Sequence, residues 1–449
     1  MKPSYLFVNQ YGYFQGIAQR VEAEGFDCYS WYSKEADKWF GRAGKNMINI
    51  VDDYHEVMDD FWDKKDDLVI IVDSNETGSE WDIARKSGYH VIGSSRLTQR
   101  AEHCREDGNQ LAEHLGLNIP PHVVFDDFAK AKQHLLKLKA KGYEDNLVFK
   151  GDGIDMAGGG FTYLSHSIDE LIEFIDWVYK GQTDSEEGYK VDKFLFADII
   201  KGLEMDCEIL FNGKEPLRAM AMDFEQKRIH GLGEAQGCYG QIEYFLDPEK
   251  EPYYQKYFKK LLSEIKGDVA VPWGINNIVQ EGTNEPFFLE FTPRTGWDST
   301  IGELMILQDA GHSIADFLHR WAYQEPFPKN YFPYRRYSCS VEIFSGTPGH
   351  KKKDIRYKPI FWDKKFEKNI WWYGINQRDD GGYQVTGNPI GCVSACGDTP
   401  DEARLKVYEI LDPKNGHIKT PDIFYNENIG EGVTEEIKKL QDAGILSKE

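Results

Sequence analysis

Residues 148–161 read VFKGDGIDMAGGGF, and Lys150 stands at the mouth of a loop where five of the next ten residues are glycine. Glycines let backbone N–H groups approach an anion closely and adopt positive φ. An ammonium at the end of a strand adds a fixed charge to those amides. FTYL resumes a strand pattern after the loop, so Gly151, Asp152, Gly153, Gly158, Gly159 and Gly160 are expected in a hairpin flap. Such an element suits a nucleoside triphosphate pinned under a lid, with Lys150 on its phosphates. The strand-to-helix pattern G-x-x-x-x-G-K-[ST] is absent. A mobile surface turn is the plainer alternative.

A second stretch, NNIVQEGTNEPFFLEFTPRTG, reads as two strands joined by a turn. Asn277 and Glu290 are 13 residues apart, a separation that can bring both to one end of the hairpin. Glu290 and Thr292 share a strand face because side chains alternate. A carboxylate in FFLEF is costly to bury without a cation. Magnesium is one answer, held by Glu290, Thr292 and Asn277 together with phosphate oxygens and waters. An ion pair between Glu290 and Arg294 is the other. In KFLFADIIKGLE, the backbone at Ala197 and Asp198 could bond an adenine edge, and Glu204 could accept from ribose hydroxyls. Glu204 also fits an ordinary exposed glutamate.

The elements that must position these groups follow from periodicity. SYLFVNQ, CYSWYS and DDLVIIVDS are strand-like and alternate with helical stretches such as GIAQRVEAEGF and DIARKSGYH. That alternation predicts a parallel sheet covered on both faces over residues 1–100. LTQRAEHCREDGNQLAEHLGL reads as one long helix. Further strands at VVF, NLVFK and KFLFADII, with helices between them, and the antiparallel-looking MDCEILFNG to LRAMAMDF extend a second domain over 101–330. The remainder, 331–449, is expected to be a small mixed domain packed on that core.

Composition narrows the function. The 449 residues carry a formal charge of −22, with 41% hydrophobic and 14% aromatic residues. This is globular, and the acidic balance disfavours a nucleic-acid footprint. No window reaches the ~20 apolar residues of a membrane span. Seven scattered cysteines look like free thiols in a reducing compartment, and Cys392/Cys396 lack the companions of a metal site. MKPSYLFVNQYG has no cleavage-like site, so a cytoplasmic setting is expected.

In order and spacing these stretches resemble the ATP-grasp enzymes, and most closely the glycinamide ribonucleotide synthetase (phosphoribosylamine–glycine ligase) family. AEHCREDGNQLAEHLGL looks like that family's helix, with Arg105 where the family carries an ATP-contacting lysine. FKGDGIDMAGGGF is similar to its flap, LEFTPRTG to its metal strand, and VTGNPIGCVSACGDTPDEARLKVYEIL to its C-terminal domain. The resemblance implies an α/β, ATP-grasp fold, ATP and Mg2+ as cofactors, and a carboxylate–amine ligase acting through an acyl phosphate, with a place in purine biosynthesis. Its partners would be an amino acid or other carboxylate and an amine, on a monomer or homodimer. Arg294 would neutralise the carboxylate or transferring phosphoryl group. Lys227 and Arg228 would serve the substrate segment, or form a solvated pair. Departures concentrate on the substrate side. Thr292 replaces an asparagine, NQYGYFQG replaces the glycine-rich turn for a ribose phosphate, and GEAQGCYG replaces a glycine–proline–asparagine–threonine segment. A ligase with other substrates, or a nucleotide-binding protein without turnover, are the rival readings.

Overall fold

The computed structural model describes residues 2–143, 146–152, 162–184, 191, 193–228, 238–265, 267, 269–297, 299–346 and 356–448. The chain divides into two compact units. The first comprises Met1–Arg96, Met205–Gly274 and Pro293–Glu449; the second comprises Leu97–Glu204 and Ile275–Thr292. The 101–330 segment is shared between the units, and 331–449 belongs with the first 96 residues. The reason is strand pairing, set out below.

Unit 1 begins with β1 (Ser4–Asn9), β2 (Cys28–Tyr32), β3 (Leu68–Val72) and β4 (His90–Ile92). They are parallel, in the order β4-β3-β1-β2. Tyr5, Leu6, Phe7, Val8 and all of LVIIV are buried, since a sheet covered on both faces has no polar side. Unit 2 starts with two helices, Arg96–His103 (from its second residue) and Arg105–Leu115, in place of the single helix expected. Cys104 sits between them in extended geometry, with φ −108° and ψ 102°. The break takes the Arg105 N–H out of the helical ladder, and it donates instead to Asp152 Oδ1 at 3.1 Å.

Next come β5 (His122–Phe125), β6 (Leu147–Gly151), β7 (Thr162–Leu164) and β8 (Phe194–Asp198), an antiparallel sheet ordered β5-β8-β6-β7. Helices Phe128–Ala140 and Ile168–Asp184 bury Ala131, Leu135, Leu171 and Ile175 against Phe149, Phe194 and Phe196. Then β9 (Gly202–Asn212), β10 (Pro216–Glu225) and β11 (Gly240–Leu246) form an antiparallel meander that belongs to unit 1 from Met205 onward. β12 (Ala270–Gln280) and β13 (Pro286–Thr292) make the expected hairpin, whose turn closes through Gln280 N to Glu285 O at 2.9 Å. β14 (Tyr337–Ser345) pairs antiparallel with β11 and with strand Gly391–Gly397. The C-terminal segment therefore extends the unit 1 sheet. Helix Ser299–Asp309 is buried from Ser299 to Leu307 and lies over β11, β14 and Gly391–Gly397.

Candidate functional site

In unit 2, β6 buries Leu147, Val148 and Phe149 and delivers Lys150 at its end. The Lys150 ammonium donates to Leu289 O on β13 at 3.2 Å. Two residues on, Asp152 N donates to Lys193 O at 2.8 Å, and the Asp152 carboxylate receives the Arg105 amide. Arg105 Nη1 in turn donates to Glu290 Oε2 at 2.6 Å, with the arginine side chain 8% and the glutamate side chain 29% exposed. Burial alone would lower the Arg105 guanidinium, yet the charges of Glu290 and Asp152 outweigh it and hold its pKa above the ordinary value. Burial raises the Asp152 carboxyl, while the Arg105 amide and charge pull the other way. Lys150, Asp152, Arg105 and Glu290 thus form one connected cluster around the ends of β6 and β13. Glu290 is therefore ion-paired with Arg105, where the sequence-based alternative named Arg294.

Asn277 is buried on β12, and its amide donates to Ile275 O at 2.7 Å; Thr292, half-buried, ends β13. Glu290 is a hard-oxygen ligand of the kind magnesium takes. A guanidinium already covers one of its oxygens, so this donor set fits a metal that arrives with nucleotide oxygens better than a free ion. Ala197 pairs with His122 on one side and Val148 on the other, and Asp198 N donates to Pro121 O. The strand ends there, and half-buried Ile199 and Ile200 follow it. Glu204 is exposed near the start of β9. Gly151 lies on β6, whereas Gly153, Gly158, Gly159 and Gly160 are outside the described residues.

Unit 1 carries the other sequence-derived residues. Lys227 pairs with Glu225 at 3.0 Å, and Arg228 O accepts from Asn426 Nδ2 at 3.3 Å. Arg294 is half-buried and lowers the Glu208 carboxyl. Burial, with Glu303 and Asp206 beside it, prevails and drives Glu208 well above the carboxylate range. Two features of this unit escaped the sequence reading. The first is a set of buried carboxylates. Asp206 faces Asp223 across β9 and β10, Asp223 faces Glu243 across β10 and β11, and Glu303 comes from helix Ser299–Asp309. Its signal was acidic residues alternating with apolar ones in MDCEIL and QIEYF. The second is Asp73, at the end of β3. Its carboxylate accepts the backbone amides of Gln10, Tyr11 and Gly12 at 2.7, 3.0 and 2.9 Å. Burial pushes Asp73 up to about 7, against those amides, which lower it.

One unit with a four-stranded antiparallel sheet, a lysine at a strand end and a carboxylate on a hairpin, and another unit with parallel α/β strands, match the ATP-grasp fold. Among solved structures, phosphoribosylamine–glycine ligase from Thermotoga maritima superposes with a TM-score of 0.68 at 16% identity, over 95% of this chain and 100% of that one. The biotin carboxylase domain of Hydrogenobacter thermophilus 2-oxoglutarate carboxylase, a complex with MgADP, ADP and bicarbonate, gives 0.65 at 14%, over 100% and 97%. Biotin carboxylase from Campylobacter jejuni, a β,γ-ATP complex, gives 0.63 at 12%, over 98% and 97%. No family model matches the chain, and no curated protein matches it in sequence.

Proposed function

We propose that this chain is an ATP-dependent carboxylate–amine ligase working through an acyl phosphate. A carboxylate oxygen attacks the γ-phosphorus, the bond to the β,γ-bridging oxygen breaks, and ADP leaves. An amine nitrogen then attacks the acyl carbon, inorganic phosphate departs, and the nitrogen loses a proton. The observation that carries this reading is the Lys150–Asp152–Arg105–Glu290 cluster, two cations and two carboxylates on rigid strand and helix ends. Such fixed charges suit phosphoryl transfer, where positioning and charge neutralisation are the protein's contribution. Lys150 and Arg105 bind phosphate oxygens and Glu290 holds magnesium, with Thr292 and Asn277 as lesser oxygen donors. When bound, magnesium neutralises the charge of the transferring group. The amides around Gly151–Gly160 cover the phosphates, with the Ala197–Asp198 strand end and Glu204 toward the nucleoside. Arg294 neutralises the substrate carboxylate, and Lys227 and Arg228 serve the acceptor.

A specific observation favours an amine without a ribose phosphate, and so a place outside purine synthesis. Asp73 already takes the amides of Gln10, Tyr11 and Gly12 in the segment that replaces the family's phosphate-binding turn. A second anion there would meet a carboxylate instead of open donors. Seven thiols without a disulfide fit a reducing, cytoplasmic setting. The test is ADP release from Mg-ATP across a matrix of carboxylates and amines, phosphoribosylamine with glycine included. ADP formed only with a matched pair supports the ligase. ATP binding without turnover on any pair would instead indicate a nucleotide-binding protein.

A further inference from the structure

Unit 1 buries a set of carboxylates that have been given no role toward nucleotide. Asp206, Asp223 and Glu243 form a row across β9, β10 and β11, each directly opposite the next, so all three project from one sheet face. Glu208, two residues from Asp206, shares that face. Oxygens of Asp206, Glu208 and Asp223 lie within 4.8 Å of one another, and so do oxygens of Glu208, Glu243 and Glu303. Glu208 belongs to both groups. All five side chains are sealed, with exposures from 0% at Glu243 to 4% at Asp206 and Glu208.

Glu303 supplies the independent sign of a ligand. It descends from helix Ser299–Asp309 on the opposite side of the cluster and is 1% exposed; among the described residues its Oε1 has no hydrogen-bond partner, and neither has Glu208 Oε2. A helix that aims an unsatisfied buried carboxylate at other carboxylates runs against both desolvation and charge repulsion. The helix nevertheless sits close. A Cβ on Gly302 would stand 2.2 Å from Glu243 Oε2, so the helix backbone comes up against that carboxylate. Of the described neighbours, Gln241 satisfies part of the row. With its amide nitrogen turned to Asp223 Oδ2 at 3.3 Å, its oxygen accepts from Ser299 N at 3.0 Å. Arg294 acts on Glu208 as a single positive charge.

We propose that unit 1 holds a hard divalent cation between its sheet and helix Ser299–Asp309, ligated by Glu208, Glu243 and Glu303, with Asp206 and Asp223 completing an oxygen shell. The spacing suits such an ion. Opposite oxygens around magnesium stand about 4.2 Å apart and around calcium about 4.8 Å. The donor groups contain no sulfur or imidazole, which selects Mg2+, Mn2+ or Ca2+ over Zn2+ or Cu2+. This site needs no nucleotide oxygens, unlike the one at Glu290.

The experiment measures metal content of the full chain by mass spectrometry, and its melting temperature in EDTA and after adding back Mg2+, Mn2+ or Ca2+, all without nucleotide. The expected result is a stoichiometric hard cation, a melting temperature lowered several degrees by EDTA, and recovery on re-addition. Glu303→Gln should lose the cation and the EDTA response, while Glu290→Gln keeps both. Should Glu303→Gln not fold, the wild-type EDTA comparison and Glu208→Gln carry the same test. A protein without stoichiometric metal whose melting is indifferent to EDTA and to all three cations overturns the proposal. Retention of the cation in both Glu303→Gln and Glu208→Gln overturns it as well.

Discussion

Glu290→Gln separates the two roles that fall on one carboxylate. In the nucleotide-free chain, Glu290 Oε2 receives the Arg105 guanidinium at 2.6 Å. Neutralising the glutamate removes from that arginine, 8% exposed, the largest of the charges that offset its desolvation. Removing one partner of a fully buried pair costs about 3–5 kcal/mol. The Glu290 side chain is 29% exposed and screened by water on that side, and glutamine still offers an oxygen. The expected loss is therefore smaller, about 1.5–3 kcal/mol. At about 2–4 °C per kcal/mol for a domain of moderate size, the nucleotide-free melting temperature should fall by roughly 3–12 °C. The second role appears only with ligand. Mg-ATP at a hundredfold excess over its Kd protects the wild type by about 2.7 kcal/mol, and the variant should lose most of that protection along with metal-dependent ADP release. Paired scans with and without Mg-ATP read both effects. Arg105→Met combined with Glu290→Gln should recover most nucleotide-free stability, since two neutral partners leave no orphan charge. If Mg-ATP protects Glu290→Gln as well as wild type, the glutamate is only the structural partner of Arg105 and its magnesium role is refuted. An unmoved nucleotide-free melting temperature would refute the stabilising pair.

Lys150→Ala should weaken ATP binding by about 10- to 150-fold, the worth of one charged hydrogen bond, with little change in nucleotide-free melting; titration calorimetry showing unaltered affinity in a folded variant would remove Lys150 from the phosphates. Thr292→Asn should keep or raise magnesium-dependent turnover, because an amide carbonyl is a better ligand than a hydroxyl; a sharp fall in kcat would argue against metal contact there. Asp73→Ala leaves the amides of Gln10, Tyr11 and Gly12 without their acceptor and should destabilise unit 1 by about 2–5 kcal/mol in urea unfolding; a neutral result would show that water replaces the carboxylate. In EDTA, burial holds Glu303 at about 8 against an ordinary 4.5. The folded state then binds the extra proton, so this stabilisation is complete below about pH 4.5 and fades as pH rises through 8. Glu303→Gln should flatten melting temperature against pH across that window, and an unchanged slope would assign it to another group.

What could be read from the sequence was what is local. The apolar run LVIIV, the strand ending in Lys150 and the hairpin bearing Glu290 each carry their signal within a dozen residues, and each forms where expected. The break at Cys104 did not show, because helical periodicity continues on both sides of it. Gly108 was the available hint. A Cβ there would stand 2.8 Å from Ala101 O, an approach that an unbroken helix would not require. The Glu290–Arg105 ion pair was out of reach of the sequence for a related reason. Arg294 is four residues away, whereas Arg105, the first residue of its helix, is 185 away in sequence. The carboxylates of unit 1 were visible as alternation, but their convergence depends on the registers Asp206↔Asp223 and Asp223↔Glu243, which alternation alone leaves open. Asp73 was hidden in the same way, as a polar strand end whose partners lie on another loop. The proposed phosphate site draws on amides and a lysine adjacent in sequence, so it can be read from one stretch. A site built by register leaves no such run: Asp73 meets the amides of Gln10, Tyr11 and Gly12 from 63, 62 and 61 residues away, a pairing that no motif carries.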